Sequence, residues 1–152
     1  MPHDRRSTPT EDLMTIATLA NPRGHPGYAA TVPCVKESAE SARLLVRTVL
    51  STWGLDDLAE DGALVVTELV ANAVQHTDGE RIRVSVNRPE PGVVRIDVAD
   101  RSCGLPRLRK AGADDEGGRG LALIDALTTR WGTEPLAQGK RVWGELTSEA
   151  AR

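Results

Sequence analysis

The run Leu64-Val65-Val66-Thr67-Glu68-Leu69-Val70-Ala71-Asn72-Ala73-Val74-Gln75-His76 decides how this chain is read. It is apolar almost all the way round, and a helix of that kind is buried against neighbours on most sides. Glu68 and Asn72 are the polar exceptions. They stand four apart, hence on one face, and Gln75 and His76 extend that face by another turn. A carboxylate within an apolar helix is costly unless it is paired or faces a cleft. Two readings are open. Glu68 stands in water on a polar stripe, or a carboxylate and an amide line a cleft. In the second, both offer oxygen ligands, which suit a hard cation such as Mg2+ that keeps several waters. The carboxylate could equally serve as a general base.

Working outward, Asp56 is the expected N-cap of this helix, which spans about Asp57 to His76. Upstream, Glu37 to Thr52 sets Ala42, Leu45, Val46, Val49 and Leu50 on one helical stripe that Gly54 ends. Tyr28 to Val35 alternates loosely and reads as a strand. Downstream, Asp78-Gly79 signals a turn. Ile82, Val84 and Val86 then alternate with Arg81, Arg83 and Ser85, the pattern of a half-buried strand, and Val93 to Ala99 completes a hairpin with it.

Asp100 to Gly120 breaks the pattern with six Gly or Pro residues, five basic residues between Arg101 and Arg119, and acids at Asp114 to Glu116. A loop of that length is usually functional, such as a lid or binding loop. Leu121 to Thr129 resumes as helix. Thr129 to Thr133 and Lys140 to Leu146 form a last hairpin around Glu134 to Gly139. Residues 1–27 are polar and rich in Pro and Gly, and are expected to be a flexible tail, with one apolar patch, Leu13 to Leu19, that reads as strand or helical turn. The domain is expected over 28–147 and a short tail over 148–152. Helices and hairpins are segregated, which predicts an α+β, two-layer sandwich with one sheet and helices on one face.

The chain has 152 residues, 39% hydrophobic and 27% charged, with a net charge of −3. That is enough for one core. The balance argues against binding nucleic acid by bulk electrostatics. Aromatics are only 3%, with no Phe, so base-stacking platforms are not expected and the core must be aliphatic. Cys34, Cys103 and the three histidines lack metal-ligand spacing. No apolar run approaches a membrane span, and no signal peptide is evident. An intracellular, cytoplasmic protein without direct membrane contact is the expectation.

Two further places could carry chemistry. Asp100 sits where a strand runs into Arg101-Ser102-Cys103-Gly104. A carboxylate there either accepts a hydrogen bond from an exocyclic amine, as on adenine, or simply forms the turn. Gly117-Gly118-Arg119-Gly120-Leu121 opens a helix, where backbone N–H groups and the helix dipole favour an anion and Arg119 suits phosphate. The alternative is a flexible loop joined to a helix; neither a Walker motif nor a full G-x-G-x-x-G is present.

Taken in order, these three features resemble the Bergerat-fold ATPases, the group that includes DNA gyrase, the ninety-kilodalton heat-shock chaperone, sensor histidine kinases and MutL. Glu68-Leu-Val-Ala-Asn72-Ala-Val-Gln-His76 is similar to their N-box, Asp100 to Gly104 to their first glycine box, and Gly118-Arg119-Gly120-Leu121 to the second. The likeness covers about Tyr28 to Leu146. It is strongest to small anti-sigma-factor serine kinases and their short actinobacterial relatives.

The resemblance implies a sandwich with a mixed, mostly antiparallel sheet and ATP beneath a mobile lid. It implies that Asn72 ligates Mg2+ and that Glu68 is the general base or water-orienting carboxylate. Asp100 would bond the adenine amine, with Gly104 admitting the base. Gly118 and Gly120 would form the phosphate turn, with Arg119 reaching the phosphates and Leu121 beginning the helix. His76 falls where such serine kinases often have His, and a packing role is expected there at least as much as a functional one. Two departures bear on nucleotide affinity. Ser102 replaces the first glycine of Asp-x-Gly-x-Gly. Arg141 stands where Gly-Lys-Thr-Val-Trp has its Thr, removing a hydroxyl expected to contact adenine through water.

The function implied is a protein serine/threonine kinase. It would phosphorylate a small anti-sigma-factor antagonist and sequester a sigma factor. The alternative is a nucleotide-gated partner-binding module without transfer, or a domain that binds no nucleotide. Relatives are often dimers, so a homodimer is an expectation of the resemblance. A sensor histidine kinase is not expected, because no phosphoacceptor helix precedes the ATPase-like part.

Overall fold

The computed structural model describes residues 15–20, 26–77, 79–100 and 121–149. Six strands form one sheet in the order β1-β2-β3-β4-β6-β5. They are β1 (Thr15–Ala20), β2 (Pro26–Pro33), β3 (Arg81–Glu90), β4 (Val93–Asp100), β5 (Arg130–Leu136) and β6 (Gly139–Thr147). The helices are α1 (Ser38–Thr52), α2 (Ala59–His76) and α3, residues 121–127.

The expected α+β architecture is present. The sheet is not mixed, however: all five pairings are antiparallel. The helix-bearing connection after β4 brings β5 back in β4's own direction. The β5–β6 hairpin then folds β6 into the gap, so the two like-directed strands never pair. The apolar patch near residue 16 is a strand, since Ile16 pairs with Ala30 and Ala20 with Pro26. The sheet thus begins upstream of residue 28.

Period-2 alternation puts Ile82, Val84 and Val86 of β3 and Val94, Ile96 and Val98 of β4 on the helix side, all at most 2% exposed. Against them lie Leu45, Val46, Val49 and Leu50 of α1 and Val65, Val66, Leu69 and Val70 of α2. Branched aliphatics fill this core without a phenylalanine. Gly62 is what lets α2 lie so close: a Cβ there would stand 3.0 Å from Val46 Cγ1 and 3.4 Å from Ile96 Cδ1.

α1 ends as its glycine predicts. Gly54 has φ +73°; its N–H donates to Ser51 O and that of Leu55 to Leu50 O, the paired bonds of a Schellman cap. Asp56 does not cap α2. Residues Asp56–Leu58 form a 3-10 turn, and Leu58, with no side-chain bond to the helix, occupies the cap position. The neighbouring Asp57 is used elsewhere: its carboxylate accepts from Ser148 Oγ at 2.9 Å, anchoring the chain beyond β6 onto the start of α2. No helix among the described residues is long and apolar enough to cross a membrane.

Candidate nucleotide site

The candidate residues lie on the C-terminal half of α2 and at the end of β4, with the β5–β6 turn against the latter. Glu68 and Asn72 lie one turn apart on α2, with Leu69, Val70 and Ala73 between and around them turned into the core. Both polar side chains are half-buried. Glu68 has no hydrogen-bond or ion-pair partner among the described residues. Asn72 Oδ1 is buried and is the one such side-chain polar atom there without a partner. An orphaned buried acceptor costs about 1–3 kcal/mol and calls for an explanation. A cation or a ligand donor supplies one.

No group of three or more His, Cys, Asp or Glu among the described residues could hold a metal. A lone amide oxygen fits a cation that takes its remaining ligands from water and phosphate, as Mg2+ does. The residues present therefore fit the expected group, which Asn72 Oδ1 would hold.

Asp100 ends β4 and is only 2% exposed, its register partner being Ile82. Two residues that pattern reading did not assign to the site lie beside Asp100, and one of them links it to α2. Cys34, just past β2, donates weakly to Ala73 O at 3.9 Å. Burial, reinforced by the nearby Asp100 carboxylate, pushes its thiol pKa up, so it stays a donor. Gly139, the first residue of β6, has φ +114° and abuts the Asp100 carbonyl and carboxylate. Cys34 is a free thiol. His76 closes α2, half-buried. Leu121 opens the described part of α3 and packs partly against the core. Gly104, Gly118, Arg119 and Gly120, like Ser102 and Cys103, lie outside the described residues.

Arg141 alternates with the buried Val142 on β6 and faces outward. It pairs with Ala99, and its guanidinium reaches Glu134 Oε1 at 3.1 Å and Asp97 Oδ1 at 3.6 Å. Both acids lie on the sheet face away from the helices. Lys140, in the preceding register, shares its side of the strand with the buried Val142.

On that outer face Asp97 is 6% exposed. Burial outweighs the attraction of Arg141, Arg95 and Arg83, Glu134 opposes ionisation further, and its pKa is raised from 3.8 to about 6. The folded state therefore holds a proton that the unfolded state has released between about pH 4 and 6. Asp97's contribution is fully favourable below about pH 4 and is lost as pH rises through 6. Asp97→Asn is expected to melt like wild type near pH 4 and several degrees higher above pH 7. The gain is of order 3 kcal/mol, at about 1.4 kcal/mol per pH unit of the difference. Equal melting temperatures across that range would contradict it.

A family model of the histidine kinase-like ATPase domain matches residues 32–143, and the chain belongs to that family. It is also similar to an uncharacterized protein of Streptomyces coelicolor, 34% identical over 87 residues, which span 55% of this chain and 83% of the relative. Family membership supports ATP binding, and the matched segment runs from the end of β2 to the middle of β6.

Proposed function

We propose that the protein is an anti-sigma-factor-type serine/threonine kinase that transfers the γ-phosphoryl group of ATP to a small antagonist protein and sequesters a sigma factor. The observation that carries the nucleotide half of this reading is the buried, unpartnered Asn72 Oδ1 one turn from a half-open carboxylate. The kinase half rests on the N-box-like run Glu68 to His76 and on the likeness to small serine kinases.

Phosphoryl transfer asks the protein mainly for positioning and charge stabilisation. Asp100 holds the base through its exocyclic amine. Asn72 supplies one oxygen ligand to Mg2+, which when bound offsets charge on the phosphates. Glu68 accepts the proton of the attacking serine hydroxyl. The serine Oγ–P bond forms, the bond from the γ-phosphorus to the β–γ bridging oxygen breaks, and ADP leaves. The same reading places the protein in the cytoplasm, as a homodimer, with Gly118, Arg119 and Gly120 at the phosphates.

One observation favours a second reading. Glu68 has no orienting partner among the described residues, whereas a general base is normally held in place by a neighbour. In that reading ATP changes affinity for a partner and no phosphate moves. Incubation of the protein with γ-labelled Mg·ATP and a candidate antagonist separates the two. Label on an antagonist serine supports the kinase. Unlabelled antagonist whose binding still depends on nucleotide supports the gate.

A further inference from the structure

The two positive-φ glycines among the described residues differ in one respect. At Gly54 (φ +73°) an added Cβ would meet nothing within 4 Å. At Gly139 (φ +114°) it would collide with Asp100, meeting the carbonyl oxygen and standing 2.7 Å from Oδ1 and 2.9 Å from the carbonyl carbon. The turn glycine of the β5–β6 hairpin thus lies against Asp100 at the end of β4, facing both its backbone carbonyl and its carboxylate Oδ1. The contact is tertiary: the two stand 39 positions apart in the chain. It also carries a direction. β6 pairs with β4 from Val93↔Thr147 to Ala99↔Arg141, so the hairpin tip reaches Asp100 only as that ladder closes.

We infer that Gly139 is a positioning residue for base recognition. It backs the Asp100 carboxylate, fixes its rotamer, and so sets the preference for a purine bearing a 6-amino group over a 6-oxo purine. The inference rests on reading Asp100 as the base-recognising group. A 6-oxo purine offers an acceptor where the carboxylate needs a donor, so discrimination depends on how firmly the carboxylate is held.

The experiment is binding of Mg·ATP and Mg·ITP (the inosine analogue) to wild type, Gly139→Ala, Gly54→Ala, Asp100→Asn and the Gly139→Ala/Asp100→Asn double variant. Wild type is expected to prefer ATP by about tenfold or more, the worth of a hydrogen bond to a charged group. Gly139→Ala is expected to lose most of that preference. Gly54→Ala, which carries backbone strain without the contact, is expected to keep it while melting lower. In the Asp100→Asn background, Gly139→Ala is expected to add almost nothing, because residues that act through one another are not additive. Undiminished preference in Gly139→Ala, or full additivity in the double variant, overturns the inference. If wild type binds ATP and ITP alike, the reading of Asp100 fails first. Should Gly139→Ala not fold, the Gly139 amide resonance of wild type decides. It is expected to shift with adenosine and stay in place with inosine; a signal unmoved by saturating adenosine overturns the inference.

Discussion

Glu68→Ala is expected to bind Mg·ATP as wild type does and to lose phosphoryl transfer by about 10²–10⁴-fold, the usual worth of a positioned general base. The side chain is half-buried and has no ion-pair or hydrogen-bond partner among the described residues, so its removal breaks no bond in the fold. Its neighbours along α2, Val65, Leu69 and Ala73, are all turned into the core. The variant should therefore keep its melting temperature. Single-turnover transfer to a partner serine, beside a direct binding measurement, reads both effects. Transfer at the wild-type rate would remove Glu68 from the chemistry. Loss of binding in step with transfer would make it a nucleotide ligand instead.

Leu69→Ala is expected to have the largest effect on folding. Leu69 is fully buried in the middle of α2, within the core cluster shared by α1 and the strands. Truncation removes buried methyl groups and leaves a cavity that a rigid sheet on one side and α1 on the other cannot close. Such changes cost about 2–5 kcal/mol, or roughly 10 °C in a domain of this size. Since Glu68 and Asn72 flank Leu69 on the same helix, nucleotide should restore part of the loss by mass action. Thermal unfolding with and without Mg·ATP measures both. A fall of only a degree or two would mean that α2 is less constrained than its burial indicates.

The parts of the fold legible in the sequence were those with a clean period. β3 and β4 show strict alternation, and the near-continuous apolar run of α2 left only Glu68 and Asn72 to explain. The spacing put these two on one face. It did not show that the amide oxygen would be buried and orphaned, because that depends on packing from other elements. β1 was ambiguous for a different reason. Six residues between Pro- and Gly-rich flanks are too short for periodicity to separate strand from helical turn, and its pairing with β2 settles the matter. Asp56 looked like a cap because of its type, but the chain tightens into a 3-10 turn before the helix begins. The direction of Arg141 was also legible from the alternation of β6. Val142, Gly144 and Leu146 point inward, so 141 points outward to Asp97 and Glu134. Gly139 could not have been foreseen, since its need arises from Asp100, which the hairpin meets only in the folded sheet.

Nucleotide binding through Asn72 is the claim on which the rest depends, and the shift in melting temperature with Mg·ATP and Mg·ADP tests it most directly. At about 100 times Kd, a ligand adds roughly 2.7 kcal/mol of stability, on the order of 5–10 °C here. Wild type should show that rise with Mg2+ present, a smaller one when the metal is chelated, and Asn72→Ala should lose it while remaining folded. No rise at millimolar nucleotide, or an undiminished rise in Asn72→Ala, would contradict the account.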